Sequence, residues 1–161
     1  MTREQFISHV KCNEKPFRRF LVALCCGDTS LADDIAQESY IKAYLSIGSL
    51  DNPEKFRFWM FRIGYNTFIS HRRSERKTLS YEEASEALSP SEADNNFRYQ
   101  SLHLALSRIP ARERSVILLF YMEGYSAQEI SRITDTSEAN VRQQLTRGRR
   151  HLKEILEKER Q

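Results

Sequence analysis

The sequence predicts an all-α protein: two small helical domains joined by a flexible linker, the C-terminal one containing a helix-turn-helix. Three observations carry that expectation. Apolar residues recur at helical spacing, and no strand-like alternation appears. Helix breakers are scarce, with 5 Gly and 4 Pro in 161 residues that are 40% hydrophobic. Near the middle, the stretch "TLSYEEASEALSPSEADNN" (Thr78–Asn96) is rich in Ser, Glu, Ala and Asn and lacks a long apolar period, the composition of a linker. The predicted boundaries are 1–76 for the first domain, 77–97 for the linker and 98–161 for the second. Blocks of that size fold alone only when their helices pack well.

The elements follow in order. Phe17, Phe20, Leu21 and Leu24 share one helical face, with Gly27 as the stop. In "SLADDIAQESYIKAYLSIG", Ser30 is the expected N-cap, acids follow in the first turn, and Gly48 closes the helix. Its apolar stripe is read as Ala36, Tyr40, Ala43, Tyr44 and Ile47. Asn52 then caps a third long helix with Pro53 at its first position. In the second block, Leu102, Ala105, Leu106 and Ile109 make a short amphipathic helix ending at Pro110. "ARERSVILLFYMEG" is a further helix that stops at Gly124. Two short helices close the chain, capped by Ser126 and Ser137.

Composition removes several classes of function. No run of about 18 apolar residues exists to cross a membrane. The opening "MTREQFISHVKCNEK" has no apolar signal-peptide core, so a cytoplasmic location is expected. Cys12, Cys25 and Cys26 form neither a disulfide framework nor a metal clip. His9 and Cys12, three apart, are read as incidental rather than as a metal site, and no cofactor is expected. No Gly-rich phosphate loop and no nucleophile–base pair is present, so an enzyme is not the expectation. Charge is distributed unevenly. Residues 1–75 hold 11 Lys/Arg against 9 Asp/Glu, residues 76–97 hold 2 against 5, and residues 98–161 hold 12 against 8. Two basic blocks flank an acidic spacer, a pattern suited to a polyanion touched at two places.

The strongest local signal is the final helix pair. Ile130 and Ile133 on the first, with Val141, Leu145 and Leu152 on the second, supply a shared apolar seam across the turn "TDTS". The second helix carries Arg142, Gln143, Thr146, Arg147, Arg149 and Arg150 away from that seam. Arg reads guanine and Gln reads adenine bidentately in the major groove, so this helix is a candidate reader of duplex DNA. The bland alternative is a solvated basic face.

A second candidate lies in "KFRFWMFRIGYNTFISHRR" (Lys55–Arg73). At about 100° per residue, Arg62, Asn66, Ser70 and Arg73 fall within about 60° of Trp59. Met60, Phe61, Gly64 and Phe68 fall opposite, and Gly64 would permit close helix approach. Most of the aromatics are therefore core, beside a polar, basic strip headed by an indole. Such a strip suits single-stranded DNA: arginines track phosphates, a ring stacks on a base, and an amide bonds a base edge. Trp59 could equally plug the bundle.

These residues resemble a family. "ALSRIPARERSVILLFYMEGYSAQEISRITDTSEANVRQQLTRGRRHL" looks like the minus-thirty-five-binding domain of bacterial sigma-70-type factors. "DDIAQESYIKAY" followed by "FRFWMFRIGYNTFISHRR" resembles their domain two. With both domains, a short linker and nothing else, the chain is similar to the extracytoplasmic-function sigma factors. The resemblance implies that Ser137, Asn140, Arg142, Gln143, Thr146, Arg147 and Arg149 meet the minus-thirty-five element. It implies that Asn66 lines a pocket for a flipped minus-ten base, with Leu50 in the adjoining loop and Trp59, Arg62, Ser70 and Arg73 along the strip. It also implies that Asp34, Gln37 and Glu38 dock on the clamp helices of the largest subunit of core RNA polymerase, Lys42 continuing their face. The polymerase flap, promoter DNA and an anti-sigma factor are the other implied partners.

Three positions depart from the family pattern. Asp135 stands where the helix-turn-helix usually has Gly, at a site favouring positive φ that Asp tolerates. Ser70 replaces a frequent acidic or amide residue, and Gly148 a frequent Ala, which puts local contacts in question. Two other function classes stay open at this level. One is a free-standing helix-turn-helix regulator, which would not need the "DDIAQE" face. The other is a mimic that titrates an anti-sigma factor, which would have lost Arg142, Arg147 and Arg149.

Overall fold

The computed structural model of the chain describes residues 1–78 and 97–159. Among these residues all regular structure is helical. The order is α1 (Arg3–Leu24), α2 (Thr29–Leu45), 3₁₀ turns at Ile47–Ser49 and Pro53–Lys55, α3 (Phe56–Thr78), α4 (Phe97–Ser107), α5 (Ala111–Ile117), a π-helical turn (Leu118–Met122), α6 (Ala127–Thr134) and α7 (Glu138–Glu159). Apart from its ends, the linker expected over 77–97 lies outside the described residues.

Helix α1 begins earlier than its apolar spacing suggests, because Thr2 and Gln5 form a reciprocal capping box. Pro16 lies inside it and removes the hydrogen bond to the Cys12 carbonyl, an exposed part of the helix. The stop is a Schellman arrangement one residue before the expected glycine. Cys26 takes the left-handed conformation (φ 57°), and the Gly27 amide donates to the Val22 carbonyl at 2.9 Å. Cys25 and Cys26 are buried there and Cys12 is exposed, none of the three in a disulfide. Burial above all, with Cys26 and Asp28 adding to it, pushes the Cys25 thiol up to about 12.

Helix α2 corrects three expectations. Its cap is Asp28, whose carboxylate accepts from the Leu31 amide at 3.1 Å, so Ser30 is inside the helix. Asp33 and Asp34 consequently stand beyond the first turn. Its core stripe is Ala32, Ile35, Ala36, Ser39 and Ala43, while Tyr44 is half exposed. Tyr44 instead meets Phe6 edge-on at 5.5 Å. Asn52 and Pro53 act as expected, but they open a 3₁₀ turn that leads into α3.

Helices α1, α2 and α3 form the first bundle around Phe17, Phe20, Phe56, Phe61 and Phe68, each at most 2% exposed. Full burial of such a ring contributes about 1.5–3 kcal/mol. A Cβ on Gly64 would stand 2.6 Å from the Phe17 ring, so glycine is what lets α3 lie against α1. In the second block α5 ends in the π-turn, with Gly124 (φ 76°) beyond it. Helix α7 runs for 22 residues and is not short. The two blocks also pack on each other, α1 and α3 against α5, the π-turn and α6, within one apolar cluster.

Candidate nucleic-acid interface

The helix wheel predicted for α3 matches the packed helix. Met60, Phe61, Gly64, Tyr65 and Phe68 are buried, while Arg62, Asn66, Ser70 and Arg73 are exposed along one side. Trp59 is half-buried, its ring 5.8 Å from that of Phe56. One part of the indole thus packs on the bundle and another stays open beside Arg62. Leu50, also half-buried, ends the 3₁₀ turn Ile47–Ser49 that follows α2. The strip joins two guanidinium groups, a carboxamide and a hydroxyl on a rigid helix, whose position the aromatic face fixes.

The C-terminal pair is assembled by its caps. Ser126 and Glu129 make a capping box, each side chain bonding the other's amide at 3.1 Å. Asp135 ends α6 in the left-handed region (φ 55°, ψ 46°), the conformation expected where Gly is usual. Ser137 Oγ accepts from the Asn140 amide at 3.1 Å and opens α7. Ile130, Ile133, Val141 and Leu145 are buried in the seam, and Leu152 is half-buried. Gly148 has a packing role: a Cβ there would stand 2.5 Å from Ile117 Cδ1.

On the outer side of α7, Arg142, Gln143, Thr146, Arg147 and Arg149 are exposed, with Ser137, and Asn140 is half-buried. Several of them are already engaged within the helix. The Thr146 hydroxyl donates to the Arg142 carbonyl at 3.0 Å, and Arg149 Nε donates to the Leu145 carbonyl at 3.2 Å. Arg142 pairs with Glu138 one turn earlier. An exposed pair of that kind contributes little and leaves the guanidinium free to swing.

On α2, Asp34, Gln37 and Lys42 are exposed and Glu38 is half-buried. Glu38 is held by a residue that sequence reasoning missed. His71, on α3, meets its carboxylate at 2.6 Å, and Lys42 Nζ lies 3.2 Å away. The His71 hydrogen bond, then Lys42, holds the Glu38 carboxyl below the usual carboxylate range. The pair is 33 positions apart, so no local spacing announces it.

Known proteins share both blocks. The sigma-70 region 2 family model matches residues 9–78, and the sigma-70 region 4 model matches residues 99–152. The chain is 30% identical over 145 residues to the ECF RNA polymerase sigma factor SigM of Bacillus subtilis, covering 85% of this chain and 86% of that one. The chain belongs to the extracytoplasmic-function sigma factors. As such it binds core RNA polymerase and directs promoter-specific initiation of transcription. A probable RNA polymerase sigma factor of Xanthomonas campestris, RfaY, is 33% identical over 132 residues; the match takes in 76% of this chain and only 33% of that protein. The fold resembles that of the Bartonella quintana sigma factor RpoE in its complex with the anti-sigma factor NepR. The TM-score is 0.79 at 22% identity, over 94% of this chain and 96% of that one. Helix α3 of the sigma factor thus lies in region 2, and most of α7 lies in region 4. No helix among the described residues is long and apolar enough to cross a membrane.

Proposed function

We propose that the sigma factor divides its work over three surfaces. Residues 1–76 bind polymerase and open the minus-ten element, and residues 98–161 read the minus-thirty-five element. Asp34, Gln37, Glu38 and Lys42 dock on the polymerase clamp helices, with His71 fixing the Glu38 carboxylate. Leu50, Trp59, Arg62, Asn66, Ser70 and Arg73 take the separated minus-ten strand, Asn66 bonding an extruded base. Ser137, Asn140, Arg142, Gln143, Thr146, Arg147 and Arg149 enter the minus-thirty-five major groove, with region 4 seated on the flap.

The observation that supports this reading best is the segregation along α3. Asn66 and its flanking arginines are exposed on a helix whose opposite side is fully packed. A regulator acting on duplex DNA alone has no use for such a strip. The protein works in the cytoplasm, as a specificity subunit without a catalytic step of its own. An anti-sigma factor restrains it; the Bartonella sigma factor of similar fold is in complex with one, NepR.

Asn66→Ala tests the assignment. Open-complex formation, followed by strand-selective footprinting, is expected to fall while core polymerase binding stays unchanged. Equal loss of both would make Asn66 a structural residue and remove it from the strip.

A further inference from the structure

Glu113 and His151 belong to none of the three surfaces, yet they meet directly behind one of them. Glu113 stands on α5, and its side chain is 9% exposed. The His151 ring reaches it from α7, with Nδ1 at 2.8 Å from Glu113 Oε2. A carboxylate so enclosed is costly unless a donor meets it. A carboxylate only accepts, so the ring is the form that carries a hydrogen on Nδ1. The two residues are 38 positions apart, and their bond ties one helix to another.

The other contacts of α7 resist its departure better than its roll. Val141 and Leu145 are buried in the seam with α6, and apolar burial is non-directional. Gly148 lets α7 close on α5: a Cβ there would stand 2.5 Å from Ile117 Cδ1 and 3.4 Å from Glu113 Cβ. Having no side chain, it offers no ridge to lock into a groove of α5. At the far end, Glu159 meets Ser101 at 3.3 Å and Arg108 at 3.9 Å, exposed contacts of the kind that hold weakly. The His151–Glu113 bond is directional, and it acts less than one turn beyond Gly148.

Roll matters because the DNA-facing residues ride on the same rigid helix. A helix with its side chains is about 10–12 Å across, so a roll of about 20° moves a side-chain tip by about 2 Å. The distance window of a hydrogen bond is only about 0.5 Å wide. A bidentate contact from Arg142 to a base edge therefore survives only if the roll is held.

We propose that His151, acting through Glu113, is a positioning residue that sets the roll of α7 and with it the discrimination of the minus-thirty-five element. Its effect on discrimination rests on α7 reading that element, as proposed above. The ring acts through the helix and not by touching DNA.

Holoenzyme made from the full chain and core polymerase tests this by competition between promoters that differ only in the minus-thirty-five element. A parallel set differs only in the minus-ten element. His151→Leu is expected to lower minus-thirty-five discrimination on the order of tenfold, the size of one lost base contact, and to leave minus-ten discrimination unchanged. His151→Asn, whose side-chain amide donates from nearly the place of Nδ1, should restore most of it. Glu113→Met combined with His151→Leu replaces the pair by apolar groups of similar size, an exchange that costs little stability. That double variant should unfold within a few degrees of wild type and still show the lowered discrimination. Wild-type discrimination in the double variant, or His151→Asn no better than His151→Leu, would overturn the role of His151, as would an equal loss at minus ten. Should His151→Leu fail to fold, the double variant decides. Arg142→Ala separates the two failures. If it lowers discrimination while the double variant does not, the positioning role alone falls; if neither lowers it, the assignment of α7 falls and takes the positioning role with it.

Discussion

Gly64→Ala puts the architecture of the α3 strip under a direct test. The new methyl carbon would stand 2.6 Å from Phe17 Cε2 and 2.7 Å from Cζ, where ordinary contact begins at 3.4 Å. Either the ring or the helix must therefore move by about 0.8 Å. The ring has little room: Phe17 is 1% exposed and lies 5.6 Å from Phe61 and 5.5 Å from Tyr40. Alanine gains about 1 kcal/mol in helix propensity. Overpacking a tight core costs about 1–3 kcal/mol, and disturbing the aromatic pairs adds about 0.5–1.5 kcal/mol. The net expectation is a loss of about 1–2 kcal/mol, read as a fall in Tm of about 5 °C for a chain of this size. Gly148→Ala is the internal control. Its methyl would also meet a neighbour at 2.5 Å, but that neighbour is Ile117 Cδ1, the far end of a flexible side chain. Propensity and repacking should nearly cancel there, within about 1 kcal/mol. Denaturant unfolding of both variants, followed by circular dichroism, decides the matter. Gly64→Ala as stable as wild type, or the two glycines in reverse order, would refute the claim that α1–α3 contact fixes the strip.

Two further predictions concern the other surfaces. Arg142→Ala should lower discrimination among minus-thirty-five variants by about 1–3 kcal/mol if the guanidinium makes a bidentate base contact; binding titrations across a promoter set measure this, and unchanged discrimination would exclude Arg142 from base reading. His71→Leu should weaken core polymerase binding through Glu38 and alter the response to acid. Because the folded-state pKa of Glu38 lies below its ordinary 4.5, its contribution is present above that value and is lost as pH falls through the folded-state one. Tm measured against pH should therefore fall less steeply below about pH 4.5 in His71→Leu than in wild type, and identical slopes would show that the pair does not hold α2 to α3.

What could be read in the sequence was whatever local chemistry decides. The Ser126 and Ser137 caps, the left-handed Asp135 and the two faces of α3 all depend on residues within a few positions of one another. The errors in α2 were local too, and instructive. Asp28 and Ser30 are both competent caps, and the choice between them depends on where α1 stops; the Schellman turn at Cys26 and Gly27 settles it. Tyr44 fits the helical stripe by spacing, yet the small residues Ala32, Ala36 and Ala43 draw α2 in along a slightly different line and leave Tyr44 at the rim. Contacts between distant segments left no signal. Nothing near Glu38 points to His71, and nothing near Glu113 points to His151.

Run-off transcription with purified core polymerase on genomic DNA, followed by mapping of start sites, decides whether the chain directs initiation. The chain added to core polymerase is expected to start transcription at a defined set of promoters sharing minus-ten and minus-thirty-five elements, and the chain alone to hold duplex promoter DNA poorly. Tight binding of a palindromic duplex by a dimer of the chain, with no stimulated initiation, would contradict it.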